Sequence, residues 1–203
     1  MKDKKMSSNT IQSLDSIAPM VKSEEKKETD PVKVEYEEGK KFFENQNYGQ
    51  AAVALHNALV GFEEKKDEPG IANASNQLGH VCLERKEYES ALNHYQRAFD
   101  ICDNSNDRMS VLSVMDNMAS ANKALENYSV AIKLYLEMLD LFQDNRDPQG
   151  TVETLEKMAS IYIVLGQNPK AADAYRTISS IHKNFKHNNM ATQFLEKAEA
   201  LES

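Results

Sequence analysis

The sequence predicts an all-α protein, a solenoid of about four helix-turn-helix units followed by a C-terminal capping helix. Three observations predict it. Apolar and small residues fall at i, i+3, i+4 and i+7, as in LGHVCL and YESALNHYQRAF, which is helical periodicity. A fixed internal period of forty residues runs through most of the chain. Aspartate marks the joints between successive units, twice with proline next to it.

The period is read from several registers at once. Gly39, Gly79, Ala119 and Ala159 are one set. Ala51, Ala91, Ala131 and Ala171 are a second, and Leu55, Tyr95, Tyr135 and Tyr175 a third. Tyr48, Tyr88 and Tyr128 follow the same frame until Asn168 breaks it. Each unit is therefore two antiparallel helices. The small residues let the two approach closely, and the large residue at the Tyr95 position fills the wedge beside that contact.

In chain order, the first helix of each unit should begin near Asp30-Pro31, Asp67, Asp107 and Asp147-Pro148. Aspartate caps free amide groups there, and proline suits the first turn, where its missing N–H costs nothing. Turns within the units are expected at Gln46-Asn47, Lys86-Glu87, Glu126-Asn127 and Gly166-Gln167. The units then cover about 31–66, 67–106, 107–146 and 147–186. A terminal helix over 188–201 carries Met190, Phe194, Leu195, Ala198 and Leu201 on one stripe. Residues 1–30 read as a flexible charged extension, rich in Lys, Glu and Ser. Within it Ile11, Leu14, Ile17, Ala18 and Val21 keep helical spacing, with Pro19 limiting any helix. Two readings of that stripe stay open: a solvated tail, or a segment that docks into the protein's own groove or onto a second copy.

Charge and composition narrow the function classes. The chain has 24 basic and 32 acidic residues, net −8, and residues 1–30 hold six of each sign, so the excess lies in 31–203. That field repels nucleic acid, and no basic stripe offsets it, so no nucleic-acid partner is expected. No stretch approaches the ~18 apolar residues of a membrane span, and MKDKK is followed by polar SSNTIQSLDS where a signal peptide needs an apolar core. The expectation is a cytoplasmic protein with no membrane insertion. Cys82 and Cys102 stand apart with no CxxC spacing, which agrees with a reducing compartment.

The stretch GHVCLERKEYESALNH, residues 79–94, contains His80, Cys82, Glu84 and His94 and invites a metal-site reading. Helical geometry takes it apart. Residues four apart share a face, so His80 and Glu84 point together while Cys82 points nearly opposite, into the core, and His94 lies on the next helix. His80 and Glu84 then read as a solvated surface pair. HExxH, GxGxxG, a P-loop and GxSxG are all missing from the sequence. His56, His182 and His187 have no recognisable nucleophile partner. No catalytic residue, metal or cofactor is expected, and the protein reads as a non-enzyme.

Leu78, Gly79, Cys82, Ala91, Tyr95 and Ala98 resemble the tetratricopeptide repeat, with its L-G-x2-Y and A-x3-F pattern, over about residues 32–201. The unit is forty residues rather than 34, and the tryptophan position holds Glu35, Ser75, Met115 and Leu155. The longer unit is similar to the extended class of kinesin light chains, cell-polarity adaptors and bacterial peptide-sensing regulators. The resemblance implies a right-handed superhelix whose first helices line a concave groove. It places the groove positions three and two residues before the small residue, and one and four after it.

Carried onto this sequence, those positions are Tyr36, Glu37, Lys40 and Phe43; Asn76, Gln77, His80 and Leu83; Asp116, Asn117, Ser120 and Lys123; and Glu156, Lys157, Ser160 and Ile163. The expected roles are a grip on a peptide backbone by Asn76, Gln77 and Asn117, whose amides both donate and accept, and charge selection by Asp116, Lys123, Glu156 and Lys157. A clamp for acidic C-terminal tails is not expected. Its positions read Tyr36 and Lys40, Gln77, then Ser113 and Asn117, and only Lys40 fits. The leading reading is an adaptor binding a peptide segment of a cytoplasmic protein. A self-assembling scaffold, with homo-oligomers, and a peptide-sensing regulator are the alternatives.

Overall fold

The computed structural model describes residues 30–202. The extension expected over residues 1–30, with its Ile11 to Val21 stripe, lies outside them except for Asp30. Among the described residues the chain forms nine helices and no strand. They are α1 (Pro31–Glu44), α2 (Tyr48–Lys65), α3 (Glu68–Glu84), α4 (Tyr88–Asn104), α5 (Arg108–Ala124), α6 (Tyr128–Asp144), α7 (Pro148–Val164), α8 (Asn168–Asn184) and α9 (Asn188–Ala200). Each packs on the next in sequence, and in addition α1 touches α3 and α3 touches α5. Contact between successive first helices places them on the inner side of an all-α solenoid.

Local chemistry sets the helix ends. Asp67 accepts from the Gly70 amide at 3.1 Å, Asp107 from Ser110 at 3.2 Å and Asp147 from Gly150 at 3.0 Å, while Asp30 accepts from Val32 at 3.0 Å. These bonds satisfy amides that have no partner inside the helix. The second helices have no such side-chain cap at Asn47, Glu87, Asn127 or Gln167. They start directly after a tight turn, as the aspartate-capped α3, α5 and α7 also do.

That turn recurs every twenty residues. Gln46, Lys66, Lys86, Asn106, Glu126, Arg146, Gly166 and Lys186 all have positive φ, between 53° and 68°. In the first, the Gln46 amide donates to the Phe43 carbonyl and the Asn47 amide to the Phe42 carbonyl, both at 2.8 Å. Lys86 and Glu87 repeat the pattern onto Leu83 and Cys82 at 3.0 and 2.8 Å. This left-handed closure satisfies the last carbonyls of each helix. Glycine, which adopts that conformation without strain, occupies only one of the eight positions.

Packing follows the forty-residue frame. A Cβ added at Gly79 would run into the Tyr95 ring, and one at Gly39 would sit 2.7 Å from Leu55 Cγ. Ala119 and Ala159 are fully buried at the same position, as are Tyr95 and Tyr135 beside it. The apolar clusters continue from unit to unit: α2 with α3 around Leu59, Phe62, Ile71 and Leu78, then α5 with α6 and α7 around Met115, Tyr135 and Ile161. α9 departs from the frame at the close-contact position. It carries Glu199 where the other first helices have Gly or Ala, and its Leu195 is 43% exposed where Leu155 is 9% and Met115 is 3%. α9 packs on α8 and is the last helix among the described residues.

Cys82 corrects one expectation. It is half-buried at the edge of the Ala91–Tyr95–Ala98 cluster, while Cys102 is the cysteine in the core.

Two stability effects follow. Gly79→Ala should cost about 1–3 kcal/mol by overpacking a rigid, buried ring, read as a lower urea midpoint. Lys86→Gly should raise stability by about 0.5–1 kcal/mol, the relief of a left-handed non-glycine residue less the added freedom of the unfolded chain. Gly166→Ala should lower it by a similar amount, since nothing lies within 4 Å of an added Cβ there and only the backbone resists.

Candidate functional site

The inner face is a lattice of four rows, one residue from each first helix per row. Its rows are stitched together across the units in one repeated way. The residue three before the small position meets the residue two before it in the next unit, 41 residues on. Tyr36 meets Gln77, Asn117 Nδ2 donates to Asn76 Oδ1 at 3.0 Å, Lys157 Nζ donates to both Asp116 oxygens at 2.6 and 2.7 Å, and Lys197 Nζ lies 3.9 Å from Glu156. The residues singled out for backbone grip and charge selection are thus brought together, and several of them already bond to one another.

A second stitch joins the residue four after the small position to the residue one after it in the next unit. The Phe43 ring lies 6.2 Å from the His80 ring, and Lys123 Nζ donates to Ser160 Oγ at 3.1 Å. Ser160 in turn donates to the Lys157 carbonyl at 2.6 Å. Beside Tyr36, Lys40 pairs with Glu37 at 3.1 Å and lies 5.4 Å from the Tyr36 ring centre. A cleft of about 590 Å³ opens between α1 and α3 here, walled by Tyr36, Glu37 and Asn73.

The second helices reach the inner face through their tyrosines. Tyr95 packs against Gly79, and its hydroxyl stands 3.2 Å from His80 Nδ1. Asn76 Nδ2 is 3.4 Å from His80 Nε2. A neutral imidazole protonated at Nδ1 satisfies both contacts, giving one chain of donors from Asn117 to Asn76 to His80 to Tyr95. His80 is therefore a half-buried member of a network, correcting the expectation of a solvated pair with Glu84. Burial pushes its pKa below the ordinary histidine value, with Glu84 opposing. One unit later, Tyr135 meets the Ser120 hydroxyl, and burial together with the Asp116 charge raises its phenol to about 12.

Sequence reasoning missed the bonds that these residues make with one another. The signal was present as complementary pairs 41 apart, Asn76 with Asn117, Asp116 with Lys157 and Glu156 with Lys197, one step off the period. The tyrosine hydroxyls and Lys197 were missed for another reason: their side chains reach the face from elements assigned to other roles. Among the described residues no three His, Cys, Asp or Glu side chains gather to hold a metal ion. No described helix is long and apolar enough to cross a membrane.

Comparison with known proteins places this architecture. No curated protein matches the chain by sequence. Among solved structures it is similar to the apo form of RapI, with 15% identity over 84% of this chain and a TM-score of 0.66. It is similar to BtubC (BKLC) from P. vanneervenii, with 15% identity over 85% of this chain, 82% of that chain and a TM-score of 0.58. Aspartyl phosphate phosphatase F from Bacillus subtilis is a third, at 13% identity over 85% of this chain and a TM-score of 0.55. The chain spans 53% of RapI and 49% of phosphatase F. These likenesses show the fold, a helical solenoid with repeats of the tetratricopeptide type. The model of the family described as "SNAP: Soluble NSF attachment protein" matches residues 14–149, about two thirds of the sequence, and the chain belongs to that family.

Proposed function

We infer that the protein is a non-enzymatic, cytoplasmic adaptor that attaches to a protein partner through the inner face of α1, α3, α5 and α7. The observation that carries this reading is the continuous inner face itself: four units present amide, hydroxyl and charged groups in register, held by cross-unit bonds with 41-residue spacing. A face pre-organised in this way loses little side-chain freedom on binding. Membership of a family named for attachment to NSF supports a protein as the partner. Ser120, Lys123 and Ser160 offer hydrogen-bonding groups, while Asn76, Gln77 and Asn117 contribute from the floor and Asp116, Glu156 and Lys157 set the charge around it. Tyr36, Lys40 and His80 frame the N-terminal half.

Capture of purified NSF, and of partners from native lysate, tests the reading. Wild type should retain a partner that Asn76→Ala/Asn117→Ala loses by at least about tenfold, with both proteins equally helical. Equal capture by the two places the contact off the inner face, and no capture from either source rejects the adaptor.

The floor network should also be pH-sensitive. Protonating His80 at Nε2 sets an N–H against the Asn76 amide, so Asn76 must reverse, and Asn117 with it. Because burial depresses the folded pKa, the neutral ring's contribution to stability is full above about pH 6.5 and lost as pH falls through the depressed value. His94 shifts in the same direction, chiefly through burial. The urea midpoint should therefore drop between pH 7 and pH 5 in wild type and drop less in His80→Gln.

A further inference from the structure

Successive units meet where each second helix ends, and one position there carries a ring in three of the four joints. Phe62, Cys102, Phe142 and His182 are forty apart. Each gives its carbonyl to the amide five residues on, that of Asp67, Asp107, Asp147 or His187, at 2.9–3.0 Å, so the four stand at the same place in the turn. The residue eight positions on is matched to the ring. A Cβ added at Gly70 would lie 2.4 Å from the Phe62 ring, and one at Gly150 2.3 Å from the Phe142 ring. His182 stacks on Phe194 at 5.5 Å. Cys102 is followed by Ser110 instead of glycine, since without a ring there is room for a Cβ. The joint of α3, α4 and α5 alone among the four lacks a ring at this position.

A cleft of about 580 Å³ opens at that joint. Pro69, Ala72, Ile101 and Cys102 form its apolar wall, with Cys102 buried at the bottom. The rim is acidic: Glu68 and Asp107 are both exposed, and no lysine or arginine lines the cleft. Asp107 accepts from the Ser110 amide at 3.2 Å and the Ser110 hydroxyl at 2.6 Å. The Glu68 carboxylate has no hydrogen-bond or ion-pair partner among the described residues. A cleft of this size, with an apolar wall and a few polar groups at its mouth, suits one ring and the charges beside it.

We propose that this cleft takes a phenylalanine side chain of a protein partner, flanked in that partner's sequence by lysine. The ring lies over Cys102, where the neighbouring joints hold Phe62 and Phe142, and the flanking ammonium groups meet Glu68 and Asp107. Ring burial supplies the affinity, and the acidic rim selects what stands beside the ring. None of the lining residues belongs to the stitched rows of the inner face, so this site goes beyond the attachment surface and does not depend on it.

Nuclear magnetic resonance titration with the peptide Ser-Gly-Lys-Phe-Lys-Gly-Ser tests the proposal. Wild type should bind it about tenfold more tightly than the same peptide with Ala in place of Phe. At low salt it should bind it about threefold more tightly than the peptide with Glu in place of both Lys. Cys102→Phe/Ser110→Gly copies the pairing of the neighbouring joints and should lose binding about tenfold while remaining equally helical. Glu68→Lys, an exposed change that leaves the core intact, should erase the preference for lysine flanks whether or not the filled variant folds. Equal binding of the Phe and Ala peptides, equal binding of the Lys and Glu peptides, or no binding overturns the proposal. So does binding that survives in the folded Cys102→Phe/Ser110→Gly variant. Peptide binding lost in Asn76→Ala/Asn117→Ala but kept in the filled variant places the peptide on the inner face, overturning this site while leaving that one standing. Free phenethylamine that binds more tightly than the peptide overturns a protein as the source of the ring.

Discussion

Everything in this solenoid depends on the close approach of two helices at one small residue per unit. At Gly79 the backbone of α3 comes so near Tyr95 that a methyl group has no room, and Gly39 stands in the same relation to Leu55. That approach fixes the depth at which the large residue sits, and through it the rotation of each first helix about its own axis. The rotation decides which residues form the inner face. A helix pair that separated by the width of a methyl group would turn Asn76 and Asn117 out of register, so core packing and surface chemistry are one constraint here.

The stack grows by repetition because every turn solves the same problem in the same way. Left-handed residues at twenty-residue intervals reverse the chain and satisfy the terminal carbonyls, while aspartates cap the first helices. Seven of those eight left-handed residues are not glycine, which costs stability at each turn. Packing between units offsets the cost, since a repeat array adds an interface with every unit. At α9 the frame position carries Glu199 in place of the Gly or Ala of the other first helices.

Much of this was legible in the sequence. The helix starts at Pro31, Glu68, Arg108 and Pro148 follow the aspartates, and the turns fall where Gln46, Lys86, Glu126 and Gly166 stand. Covalent periodicity and capping are local, and local chemistry is what a sequence displays directly. His80 and Cys82 show the limit. Helical geometry put them on different faces, correctly, but their depth depended on the Tyr95 ring, fifteen residues from His80 in sequence and 5.6 Å away ring to ring. The same holds for the charged row. Asp116 and Lys157 are unremarkable letters on two helices until the 41-residue offset brings them to 2.6 Å.

The sequence by itself determined the class and the repeating unit, because both follow from periodicities of 3.6 and forty residues that any stable packing of these helices must respect; the positions expected on the inner face came from the resemblance to the tetratricopeptide repeat. Tertiary structure decided which groups on that face are committed to one another and which remain available. The offset between neighbouring units is set by how far each helix pair slides and twists against the next, a sum of many small packing contacts. No single residue encodes that sum. Among the described residues Lys123 meets a hydroxyl, Ser160, while Lys157 meets a carboxylate, Asp116, because of the slide between units.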